Sequence, residues 1–94
     1  MDRDAIDYLK SLGISKFALV EMVGACPSIN NLDYIGVKNT VSILMDFGFL
    51  AEDLVKLFVE NPKILCMDAK SLQSALVTLG ENVVAKLNNN PFLI

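Results

Sequence analysis

The chain has 94 residues, of which 8 are basic and 11 acidic, with no histidine and two cysteines, for a net charge of −3. At 53% hydrophobic and 20% charged it is globular, not disordered. The acidic balance argues against a dedicated nucleic-acid binder, whose electrostatic footprint is usually basic. The lack of histidine removes the commonest general base and metal ligand.

A chain this short buries only about 60–65% of the surface it exposes when unfolded, so one small domain is expected. The high apolar share has two readings, a surface for a partner or a tightly packed Leu/Val core. No apolar run approaches the roughly 18 residues of a membrane-spanning helix, so no membrane association is expected. The start, Met1-Asp2-Arg3-Asp4, is acidic and has neither an apolar leader nor an Arg-rich presequence. A cytoplasmic or otherwise intracellular protein is the expectation, with Cys26 and Cys66 as reduced, buried thiols.

In chain order, Asp4 to Leu12 carries Ile6, Leu9 and Leu12 at helical spacing. Gly13 supplies the left-handed residue that commonly ends a helix. Ser15 stands as the N-cap of a second helix running to about Ala25, along which Phe17, Val20 and Val23 recur every third residue with Leu19 and Met22 alongside. Pro27 stops it, because proline lacks the amide hydrogen and clashes with the preceding turn. Asn30 to Gly36 is expected as a longer connection with a turn of helix around Leu32 and Ile35. Val41, Leu44 and Phe47 line the third helix, which Gly48 ends. Leu54, Leu57 and Phe58 line the fourth, which Asn61-Pro62 ends. Asp68 caps a fifth, with Leu72, Leu76 and Leu79 leading to Gly80. Val83, Val84 and Leu87 belong to a short sixth helix before Asn90-Pro91.

These elements repeat. Gly13 precedes Pro27 by fourteen residues, Gly48 precedes Pro62 by fourteen, and Gly80 precedes Pro91 by eleven. The glycines close Leu9-x-x-Leu12-Gly13, Leu44-x-x-Phe47-Gly48 and Leu76-x-x-Leu79-Gly80. The three missing residues fall just after Gly80, in a turn, where a repeat family absorbs length changes. A short apolar piece follows each proline: Ser28-Ile29, Lys63-Ile64-Leu65 and Phe92-Leu93-Ile94. Each is expected to form one turn packed between neighbouring units. The expected architecture is all-α, a single domain over 1–94 with approximate units 3–36, 37–67 and 68–94.

The unit from Leu44 to Leu65, with Phe47-Gly48 and Pro62-Lys63-Ile64-Leu65, resembles the repeat of the mitochondrial transcription termination factor (MTERF) family. Leu12-Gly13 with Pro27-Ser28-Ile29, and Leu79-Gly80 with Pro91-Phe92-Leu93, resemble it more loosely. The resemblance implies a right-handed stack of helix pairs. It also implies binding along the backbone of double-stranded nucleic acid through a basic concave groove, as a regulator of transcription in mitochondria or chloroplasts. This chain departs from the family pattern in its short length and its acidic charge, and no transit peptide is visible.

Lys16, Lys38 and Lys70 fall in expected first turns of helices, where a cation opposes the helix dipole and a phosphate would offset it. One edge of the stack is expected to collect Arg3, Lys38, Lys63 and Lys70 together with Asp2, Asp4, Asp33, Glu60 and Asp68. Lys38, Lys63 and Lys70 are the nucleic-acid candidates, set against a merely solvated face. Phe17, Phe47 and Phe58 are expected in the core, and Phe49 between units. No cofactor, metal ligand set or catalytic residue is expected. The cysteines have no histidine partner and form no C-x-x-C, and no Gly-rich phosphate loop occurs. The alternative to nucleic acid is a protein partner or a second copy, docking on Phe92, Leu93 and Ile94. Fold-back of this tail is favoured for a monomer.

Overall fold

The computed structural model describes residues 1–94. Helix α1 spans Arg3–Leu12 and buries Ala5 and Leu9. Asp2 accepts from the Ala5 amide at its start, and Gly13 ends it at φ +116°. The Gly13 and Ile14 amides return to the Lys10 and Leu9 carbonyls at 3.0 and 3.2 Å, which satisfies the last turn. Helix α2 spans Lys16–Ala25 with Ser15 as its N-cap. Pro27 then opens a 3-10 helix, Pro27–Asn31. The plan recurs in α3 (Tyr34–Asp46), α4 (Ala51–Glu60) and a second 3-10 helix, Pro62–Cys66. Helices α5 (Ala69–Leu79) and α6 (Val83–Asn89) complete the chain.

Helices α1, α3 and α5 pack in one row and α2, α4 and α6 in another, while the two 3-10 helices pack on each other. No strand is present. The fold is all-α, a short stack of helix pairs, with a radius of gyration of 12.2 Å. Burial follows the repeat. Leu9, Leu44 and Leu76, at one offset from their glycines, are fully buried. Leu19, Leu54 and Val83, at one offset from their prolines, are buried as well. A single core of 20 apolar residues runs through all three pairs.

The structure corrects several expectations. Phe17 is 84% exposed and Val20 64% exposed, and the buried face of α2 is instead Leu19 and Met22. Helix α2 is apolar nearly all round, so spacing alone could not select its inner face. Asn30 and Asn31 belong to the first 3-10 helix, and α3 begins at Tyr34 with Asp33 as its cap. The connection is therefore only Leu32-Asp33, and Ile35 is exposed. Lys38 consequently lies in the second turn of α3, not the first. Cys26 and Cys66 are free but only half-buried. Phe47, expected in the core, caps α3 and is only half-buried against it, whereas the burial of Phe49 is in line with its expected packing.

Candidate functional site

The second 3-10 helix joins the end of α4 to the start of α5, so it carries Lys63 to the edge where Lys70 begins α5. The first 3-10 helix packs against it and leads into α3, two turns of which reach Lys38. All three side chains are exposed. None of them makes an ion pair; the one ion pair of the chain is Arg3 with Asp7, 3.9 Å apart and exposed. Lys38 has a different neighbour, its Nζ lying 5.7 Å from the centroid of the Tyr34 ring. Tyr34 in turn meets Tyr8 edge-on at 5.5 Å, fixing the start of α3 against α1.

The acids of this edge are arranged differently from the bases. Asp2 accepts from the Ala5 amide at 2.8 Å through one oxygen and from the Tyr34 amide at 3.3 Å through the other. Asp33 accepts from the Gly36 amide at 2.8 Å. Asp68 accepts from the Ser71 amide at 2.8 Å and the Ser71 hydroxyl at 2.9 Å. The bond from the Ser71 amide, then that from its hydroxyl, holds the Asp68 carboxyl below the usual carboxylate range. Three of the five carboxylates expected here are therefore turned onto helix N-terminal amides, where the positive end of the dipole faces them. Lys63 and Lys70 have no such partner.

Across the boundaries between pairs, the residue before each proline reaches forward. Asn61 is buried, and its Nδ2 donates to the Pro91 carbonyl at 2.8 Å. At the equivalent place, Cys26 Sγ lies 3.9 Å from Cys66 Sγ, with the Ser28 hydroxyl 3.4 and 3.5 Å from the two sulfurs. Burial first, and the neighbouring Cys26 after it, push the Cys66 thiol up against the lowering effect of the Ser28 hydrogen bond. Pro91 is buried, but Phe92 and Leu93 are exposed and Ile94 is half-buried. The tail thus folds back at Pro91 and leaves its aromatic end in solvent.

Sequence reasoning missed Tyr34 as the platform under Lys38, although their i, i+4 spacing signals it. It also missed a groove of about 390 Å³ on the outer side of α1 and α2, lined by Ile6, Lys10, Lys16, Val20 and Val23. No helix is long and apolar enough to cross a membrane.

The family model mTERF matches residues 2–90. No curated protein and no solved structure matches the chain. With the Leu-x-x-Leu/Phe-Gly closures and the prolines that open each 3-10 turn or tail, this match over nearly the whole length places the chain in the mTERF family.

Proposed function

We propose that residues 1–94 form one non-catalytic helical-repeat module that holds a nucleic-acid backbone along the edge of Lys38, Lys63 and Lys70, in a transcription-related role. Family membership supports this reading, since mTERF repeats generally bind nucleic acid. The observation that carries it here is the division of charge on that edge. Asp2, Asp33 and Asp68 face helix N-termini, while the three lysines are exposed and free of ion pairs.

Three phosphate contacts give a log–log salt slope of about −2.7 and a loss of about 40-fold in affinity between 50 and 200 mM salt. Fluorescence anisotropy with duplex DNA and duplex RNA measures it. Replacing both Lys63→Glu and Lys70→Glu weakens binding and flattens the slope by about two units. No binding at about 50 mM salt and micromolar protein, or a slope indifferent to both replacements, removes the reading.

A second reading, association with a protein surface or another copy, is favoured by the exposure of Phe92 and Leu93 beside the anchored Pro91. Light scattering reads it as a mass above that of the monomer.

A further inference from the structure

Each helix pair sits on the one before it through a valine and a glycine. Val55 of α4 places its Cγ2 3.3 Å from where a Cβ on Gly13 would be. Val84 of α6 does the same at Gly48, at 3.7 Å. Both valines lie seven residues before their prolines, and both glycines close the first helix of the preceding pair with positive φ. At Gly13 a Cβ would crowd the valine, while at Gly48 it would meet the valine at ordinary contact distance, and at both the positive φ favours glycine.

The same two positions exist, unmatched, at the two ends of the stack. Val20 lies seven residues before Pro27 and is 64% exposed, because no pair precedes it. Gly80 has no atom beyond its chain neighbours within 4 Å of its Cβ position; its φ is positive like that of Gly13, although its ψ of −140° differs from the 6° there. One end therefore presents the knob and the other the site that receives it. Apolar side chains surround both: Phe17 is 84% exposed near Val20, and Val77 is 67% exposed near Gly80. Glu81 adjoining Gly80 is opposite in sign to Lys10 and Lys16 of the groove beside Val20, while Lys86 at the Gly80 end is held on the Leu79 carbonyl.

We infer that two copies of this chain stack end to end, Val20 of one copy seating on Gly80 of the next, in continuation of the packing inside each copy. This shares with the second reading above only that copies associate, and it places the contact on Val20 and Gly80, not on the Phe92–Leu93 tail; it is independent of nucleic-acid binding. The two surfaces differ, so the contact is heterologous and leaves one free knob and one free glycine after every addition. Assembly is then open-ended, as stacking is within a repeat protein.

Sedimentation velocity on the full chain, without nucleic acid, tests this across about 10 to 500 μM, the range in which a single small heterologous contact is populated. The expected result is a weight-average mass that climbs past the dimer with concentration. Val20→Asp at one end and Glu81→Lys at the other each weaken association at least tenfold, with unchanged far-ultraviolet circular dichroism, since both residues are exposed. Mixing the two variants restores a 1:1 dimer, because each retains the end the other has lost. A closed dimer that ignores Val20→Asp and is lost with Phe92→Asp overturns end-to-end stacking while leaving the tail-mediated reading standing. A strictly monomeric chain overturns both.

Discussion

Gly13 shows how much one position decides. Its φ of +116° is a conformation that side-chain-bearing residues rarely adopt, and Val55 presses on it from the next pair. Gly13→Ala therefore costs about 1–2 kcal/mol from the backbone alone, and the close valine adds to this. A urea titration reads the loss as a lower midpoint with an unchanged slope. Two titrating groups make stability depend on pH in opposite directions. The hydrogen bonds from Ser71 lower the Asp68 pKa in the fold, so its contribution is present above the unfolded value and lost as pH falls through the folded one. The Cys66 pKa is raised, so its contribution is present below the unfolded thiol value and lost as pH rises through the folded one. Unfolding midpoints measured across pH should fall in acid less for Asp68→Asn than for the parent, and in alkali less for Cys66→Ala. Equal pH profiles for variant and parent would sink this account.

Among the elements, the C-terminal tail is held by few contacts. Asn61 closes α4 and donates its side-chain amide to the Pro91 carbonyl inside the protein. Asn61→Ala leaves that carbonyl without its partner and costs about 1–3 kcal/mol. Hydrogen exchange should show Phe92 and Leu93 amides exchanging faster in the variant while α3 keeps its protection. Equal exchange in variant and parent would mean that packing of Pro91 alone secures the tail. The helices themselves are written plainly in local chemistry: Ser15 and Asp68 stand at helix starts, Gly13 and Gly48 at helix ends, and Pro27 and Pro62 beyond them. Where the local code is ambiguous, as in the uniformly apolar α2, only the neighbours α4 and the 3-10 helices choose which side goes inward. That choice exposes Phe17 and Val20.

For the molecule as a whole, the two proposed surfaces lie apart. The proposed lysine edge takes Lys63 from the second 3-10 helix, Lys70 from the first turn of α5 and Lys38 from the second turn of α3, whereas the proposed stacking surfaces lie at the two ends of the array. Val20→Asp is therefore expected to leave the salt slope of nucleic-acid binding unchanged, and Lys63→Glu to leave sedimentation unchanged. Anisotropy and sedimentation on the same two variants check this. A change in both measurements for either variant would show that assembly and binding share one surface.

The helix ends at Gly13, Gly48, Pro27 and Pro62, the recurrence of the helix pair and membership of a repeat family were legible in the order of residues, because glycine, proline and capping side chains act on the backbone within one turn; the start of α3 was not. The division of charge on the lysine edge was not legible in that way. Counting acids and bases gives five against four; Asp68 is legible as a cap, but only the folded chain turns Asp2 and Asp33 onto helix amides as well while leaving Lys63 and Lys70 free of ion pairs. The unmatched Val20 and Gly80 were hidden for the same reason. Contact between elements distant in sequence is a property of packing, and packing exists only once the pairs have stacked.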